Sequence, residues 1–447
     1  MELDINIKEL ATAINGKLIY LKKDKKINSF ITDTRKISSG DVFLALKGKN
    51  FNGNDFIEEA VKKGAKGIIA ERSIKLDDYN KLDFFIRVND SLKALHLLAQ
   101  KHLERLDLKT VSVTGSNGKT TVKEMTKDVL SSYKKTVYNH GNLNNEYGLP
   151  LSVLEATKKD EFGVFEIGSS SVGEVKKLAR IVKPDISVIT TIAPEHLEFF
   201  KTMENIFKTE TEVLNELKNG GLGVINGDNE YLKKLKTKKN IISFGFLADN
   251  NLVIDFKENF SSFNFKNKRI KIRLKNHIKH NYLNAAAAFI SGYLFGVPEK
   301  KIIAALEKFD GVPLRMQIIK RKKSVIILDA YNANPQSMDY ALSEISKKKR
   351  FAVILGDMKE LGRYSKRYHT ELAKRVSEIS PEYVFLIGPE IKVAYDCLKK
   401  EMKNVKYYSN TDLALKYVRD FIKENDDINI LIKASRSMKF ERFIAEN

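Results

Sequence analysis

The amino-acid sequence predicts an α/β protein of three domains, and three observations carry that expectation. The chain has 447 residues, room for two to four domains at roughly 100–200 residues each. Short apolar runs recur between helix-length segments, the pattern of strands in mostly parallel sheets covered on both faces. One glycine-containing loop lies between such a strand and a helix, where ligand sites form in open α/β sheets. The expected division is a small N-terminal α/β domain at 1–95, a central phosphate-loop domain at 96–313 with a mostly parallel sheet, and a C-terminal Rossmann-like domain at 314–447.

The elements follow in order. Ile7, Leu10, Ala11 and Ile14 give the first domain an amphipathic helical start, and the runs 42–46 and 84–88 read as strands. The central domain opens with the apolar strand Val111-Ser112-Val113, a turn, and helical spacing through Met125, Val129 and Leu130. Further strands are expected at 163–167, 186–190 and 223–225. A helix at 299–309 leads to the linker Gly311-Val312-Pro313, after which strands at 324–329, 351–355, 383–387 and 429–432 alternate with helices.

Composition narrows the function classes. Hydrophobic residues make up 43% and charged residues 30% of the chain, too apolar for disorder. The lone cysteine, Cys397, excludes an intrachain disulfide and a multi-cysteine metal site, which suits a reducing, cytoplasmic compartment. No apolar run approaches the ~18–20 residues of a membrane span, and a soluble, unprocessed monomer is the expectation. Lys and Arg total 78 against 57 acidic residues, a net charge of +21. That excess is spread through all three segments without a basic stripe, so nucleic acid is not expected as a partner, whereas small polyanions are.

The chemistry concentrates in Thr114-Gly115-Ser116-Asn117-Gly118-Lys119-Thr120-Thr121. Its glycines let backbone N–H groups face an anion at a helix N-terminus, Lys119 can reach the β/γ phosphates, and a threonine hydroxyl can ligate magnesium. The G-x-x-G-K-T spacing is two residues shorter than the common form of such loops. Asn142, Asn144 and Asn145 form an amide-rich loop that could read a sugar–peptide ligand, although on its own such a loop is better read as a capped turn. Glu166 ends an expected strand, where a magnesium ligand or a solvated carboxylate fits, and His196 follows another strand and a turn.

These segments, with His280-Asn281-Tyr282-Leu283-Asn284 and its four following alanines, resemble the ATP-dependent Mur ligase family. So do Asp329-Ala330-Tyr331-Asn332-Ala333-Asn334-Pro335, Gly356-Asp357-Met358-Lys359-Glu360-Leu361-Gly362 and Lys433-Ala434-Ser435-Arg436-Ser437-Met438. The resemblance implies an amide ligase that uses ATP and Mg2+ to add D-alanyl-D-alanine to UDP-N-acetylmuramoyl-tripeptide through an acyl phosphate. It implies metal roles for Thr120, Glu166 and His196, adenine contact by Asn284, phosphate contact by Arg315 and ribose contact by Asp329. Tyr331, Asn332 and Asn334 would line the cleft, and Asn334, Ser435 and Arg436 would hold the dipeptide. Thr34 and Arg35, with 43–46 and Asn52-Gly53, resemble the family's UDP-binding domain. One position departs: where the family has a carbamylated lysine on the helix after the histidine, an ungapped count from His196 reaches Glu210. Glu210 is therefore expected to replace the carbamate at the metal, with Lys208, two residues and about 200° away, facing elsewhere.

Two rivals share the shortened loop, the sibling ligase adding the third amino acid and a folate-glutamate ligase; the segment from Tyr331 to Pro335 argues against both. A non-catalytic nucleotide-binding protein and a nucleic-acid-dependent ATPase are the readings from other classes. The first would bind ATP without tripeptide-stimulated phosphate release, and the second would bind DNA or RNA with a steep salt dependence.

Overall fold

A computed structural model of the chain describes residues 4–27, 29–48, 51–72, 80–258 and 260–444. Among these residues the strands form four sheets of two, five, nine and six strands. The five-stranded sheet has the order Lys17–Leu21, Phe84–Arg87, Gly67–Ala70, Val42–Leu44, Phe30–Ile31, and only the first pairing is antiparallel. Helix Ser91–Leu106 then runs on towards the central sheet without a break.

In the nine-stranded sheet Lys109–Thr114 lies between Phe162–Glu166 and Ile186–Ile189, all parallel. Glu166 is opposite Val113, and Ile189 opposite Thr114. That register brings three carboxyl ends to one edge, so the loops that follow them emerge together. Apart from the exposed Lys109 the strands are buried, in keeping with their mostly apolar and small residues. The sheet also holds an antiparallel extension the sequence reading did not foresee, in which Ser261–Phe265 pairs with Leu252–Phe256 and Lys268–Ile272.

Helix Lys279–Leu294 packs against the phosphate-loop helix Lys119–Ser131. Ala285, Ala286, Ala287 and Ala288 are fully buried in this contact, small enough for close backbone approach. A Cβ at Gly292 would stand 2.4 Å from Val129, so glycine is needed there. This packing carries Asn284 beneath the phosphate loop.

The six-stranded sheet runs Gln317–Lys320, Val325–Asp329, Asn429–Lys433, Phe351–Gly356, Tyr383–Ile387, Val405–Tyr408, parallel except for its first pairing. Its carboxyl ends face the central sheet's loops across a cleft. No helix among the described residues is long and apolar enough to cross a membrane.

Candidate active site

Gly115 and Gly118 adopt φ of +117° and +86°, the left-handed region that glycine enters without penalty. The surroundings admit nothing larger: a Cβ would lie 2.4 Å from Thr190 Oγ1 at Gly115 and 2.7 Å from Asn284 Oδ1 at Gly118. The loop therefore presents its backbone at the N-terminus of Lys119–Ser131, an anion-binding geometry. Lys119 Nζ donates to the carbonyls of Gly115 and Ser116 and lies 3.6 Å from Glu195. Burial works against its charge, but the carboxylates of Glu195, Glu210 and Glu166 outweigh it and raise the ammonium above its ordinary value.

Glu166 is buried at its strand end. Its Oε1 accepts from Asn144 Nδ2 at 2.7 Å, while Oε2 has no partner. Asn142, Asn144 and Asn145 all line the cavity, and Asn145 also caps the next helix by accepting from the backbone N–H groups of Tyr147 and Gly148. His196 has a left-handed φ of 48° ahead of helix Leu197–Phe200, and its Nδ1 meets Glu360 of the C-terminal unit. Burial disfavours the imidazolium, yet the hydrogen bond to Glu360 and the charge of Glu195 prevail and raise it.

One cavity of about 1230 Å³ joins the two units; Ser116, Asn117, Gly118, Lys119, Thr121, Glu166, His196 and Asn284 line one side. Arg315, Asp329, Tyr331, Asn332, Ser435 and Arg436 line the other. The Arg315 guanidinium lies 4.0 Å from the Tyr331 ring centroid and donates to Thr120 Oγ1 at 2.8 Å. Thr120 borders a second cavity of about 730 Å³, walled by the linker and again by Arg315, Tyr331 and Arg436. Asp329 is paired with Lys433 and accepts from Met316 N at 3.1 Å. Ser435 Oγ accepts from Lys359 N at 2.9 Å, and Arg436 pairs with Glu441.

Several expected residues stand elsewhere. Glu210 is fully buried and does not line the cavity: Oε2 accepts from Thr114 Oγ1 and from Gly115 N at 2.8 Å, and Oε1 from Ser169 Oγ at 2.7 Å. With both oxygens engaged, it braces the phosphate loop instead of facing a cation. Lys208 is exposed, as the helical rotation required. Asn334 does not line the cavity either. It caps helix Pro335–Ile345 and exchanges amide hydrogen bonds with Asn117, at 2.8 and 3.3 Å. Thr34 and Arg35 lie on the N-terminal unit away from this cavity, with Arg35 paired to Asp33.

Other site residues went unread. Glu195 is 3% exposed with Oε1 unpartnered, and burial pushes its carboxyl up to about 7 against the pull of Lys119 and His196. Only its adjacency to His196 hinted at it. Gln336 accepts from Asn117 Nδ2 at 3.0 Å and lines the cavity, as does His280, whose ring centroid is 5.0 Å from that of Tyr340.

A phosphate loop facing a Rossmann-like unit across a single cleft is the arrangement of a known class. Models of the "Mur ligase family, catalytic domain", the "Mur ligase middle domain" and the "Mur ligase, glutamate ligase domain" match residues 26–102, 113–292 and 314–436. The chain belongs to the Mur ligase family. Within it, the chain is 32% identical to the UDP-N-acetylmuramoyl-tripeptide--D-alanyl-D-alanine ligase of Bacillus subtilis (strain 168), over 98% of this chain and 97% of that protein. It is 28% identical to the ligase of the same name from Escherichia coli (strain K12), over 99% and 98%. Among solved structures, MurF from Acinetobacter baumannii superposes with a TM-score of 0.87 at 28% identity, covering 98% and 97% of the two chains. MurF ligase from Thermotoga maritima in complex with ADP does so with a TM-score of 0.83 at 30% identity, covering 94% and 96%.

Proposed function

We propose that this chain is an ATP-dependent peptide ligase that joins D-alanyl-D-alanine to UDP-N-acetylmuramoyl-tripeptide, a step in making peptidoglycan precursors. The observation that carries the reading is the shared cavity, where the phosphate loop and Glu166 meet Arg315, Tyr331 and Ser435. The tripeptide carboxylate attacks the γ-phosphorus of ATP, releasing ADP and leaving an acyl phosphate. The dipeptide amine then attacks the acyl carbon and phosphate departs. Both reactants in the first step are anions, so catalysis rests on positive charge held in place. Lys119 and Arg315 supply that charge from opposite sides of the cleft, and the loop N–H groups orient the phosphates.

The residues fit a magnesium ion. Glu166 Oε2 is a buried oxygen with no partner, whereas the expected Thr120 hydroxyl is taken by the Arg315 guanidinium and borders the second cavity, so it would reach the ion only once Arg315 turned to the phosphates. His196 has its Nδ1 taken, leaving Nε2 as the coordinating nitrogen. Magnesium is commonly held by one or two side chains together with substrate phosphates, and Glu166 and His196 are the two that line the cavity. When bound, the ion would neutralise phosphate charge. Glu210 is left out of this set because its oxygens are engaged. Asn284 and His280 would meet the adenine, Asp329 the ribose, and Ser435 and Arg436 the dipeptide. Residues 1–95 would hold the UDP-sugar through Thr34 and Arg35, with 96–313 and 314–447 as the other two domains.

The test is to incubate the protein with ATP, magnesium, D-alanyl-D-alanine and UDP-muramoyl tripeptides differing in their third residue, and to identify products by mass. An ATP-dependent pentapeptide product is expected. Its absence with every tripeptide overturns the reading.

A further inference from the structure

The stretch 360–364, within and after a segment singled out in the sequence, has no part in the chemistry above. It lies on the C-terminal unit, yet its contacts reach into the central one. Glu198 N donates to the Glu360 carbonyl at 2.9 Å, and the Tyr364 hydroxyl donates to the Lys201 carbonyl at 3.3 Å. A Cβ at Gly362, whose φ is +54°, would lie 3.1 Å from Glu198 Cα, so the backbones approach as closely as glycine allows. The Glu360 carboxylate completes the contact at His196 Nδ1. Both residues have left-handed φ, 63° for Glu360 and 48° for His196. Such backbones persist only where surrounding contacts impose them.

Resting on the ligase reading for its consequence, we propose that Glu360 is a positioning residue: from across the cleft it fixes the ring and tautomer of His196, so His196 is correctly presented only while residues 360–364 are docked. A carboxylate on Nδ1 keeps the proton there and turns Nε2, with its lone pair, to the cavity. Docking of the C-terminal unit would thereby become a condition for competent chemistry, enforced through one imidazole.

Two readouts test this. The first needs no substrate: 15N spectra of histidine-labelled protein at about pH 9, where a neutral imidazole dominates, with the His196 signals assigned by their loss in His196→Gln. The wild type should show the Nδ1–H tautomer, Glu360→Ala a shift toward Nε2–H, and Glu360→Gln, whose amide oxygen still accepts, the wild-type pattern. The second is kinetic. Glu360→Ala should lower kcat about 10–100-fold with the KM for UDP-peptide little changed, Glu360→Gln should restore most of it, and Gly362→Ala should reproduce the loss with the carboxylate intact. An unchanged tautomer in Glu360→Ala, or unchanged kcat in an active enzyme, overturns the proposal. If the wild type makes no pentapeptide, the ligase reading fails while the tautomer experiment still decides the contact.

Discussion

Lys119 and His280 show how differently two half-buried groups on the same cavity respond to removal. Lys119→Ala deletes the charge that meets the phosphates, so ligation should fall by orders of magnitude with the melting temperature little changed, since the loop's backbone is held by Glu210 and Thr190. Near-normal turnover in that variant would remove the phosphate loop from the mechanism. His280 acts on stability instead. Burial lowers its imidazole to about 4, outweighing nearby Asp329. Between the ordinary 6.5 and about 4, the unfolded chain takes up a proton that the folded one refuses. Stability therefore falls as pH drops through that window, by at most about 3 kcal/mol at roughly 1.4 kcal/mol per unit. Urea titrations of wild type and His280→Asn at both ends should show the difference shrinking in acid; a constant difference would contradict it. Lys119, Glu166 and Asn284, singled out in the sequence by motif and resemblance, line the cavity. Glu195 and Glu360 were not legible, because nothing local distinguishes a glutamate aimed into a cavity from a solvated one.

On the scale of elements, helix Met203–Thr211 carries its message in its rotation. Lys208 faces out while Glu210 is turned inward to hold Thr114, Gly115 and Ser169 together. Glu210→Ala should leave Gly115 N and Ser169 Oγ unpaired, while Thr114 Oγ1 keeps the Ile167 carbonyl, costing about 2 kcal/mol or more in urea denaturation and lowering kcat, whereas Lys208→Ala should stay within about 0.5 kcal/mol and keep full activity. A dead Lys208→Ala rescued by short carboxylic acids would show that the ungapped count has the wrong residue. The parallel strands were readable because burial on both faces forces mostly apolar runs such as Ile186–Ile189, interrupted only by the small Ser187. The antiparallel strands Ser261–Phe265 and Lys268–Ile272 mix serine, asparagine and lysine with their apolar residues, and half-covered strands of five residues resemble loops.

Across the whole molecule, the C-terminal unit touches the central one through polar contacts, Asn117 with Asn334 and Gln336, Arg315 with Thr120, and residues 360–364 with the turn after His196, beside the His280–Tyr340 ring contact and an apolar patch that includes Leu197, Phe200 and Leu361. Interfaces of this mixed kind between domains of one chain leave relative motion as the default expectation. Binding nucleotide and UDP-peptide together should therefore compact the protein, with a scattering radius of gyration falling toward the roughly 22 Å of a compact chain of this length. No change with both ligands present would contradict closure. The sequence could place the groups on their domains, but which faces meet depends on long-range packing that no local pattern encodes.

The unbroken helix Ser91–Leu106 gives this motion a direction. His96 and His102 fasten it to the central unit through the carbonyls of Glu146 and Ala156, at 2.7 and 2.8 Å, with Leu95, Leu98 and Ala99 buried beneath it. The other junction runs through Gly311, whose φ is +95° and around which no atom would meet an added Cβ within 4 Å. Mechanically the protein is a vice with one fixed jaw and one sliding jaw. On the proposed reading, the unit that would hold the sugar-peptide moves with the central one, and closure would bring the incoming amine to it.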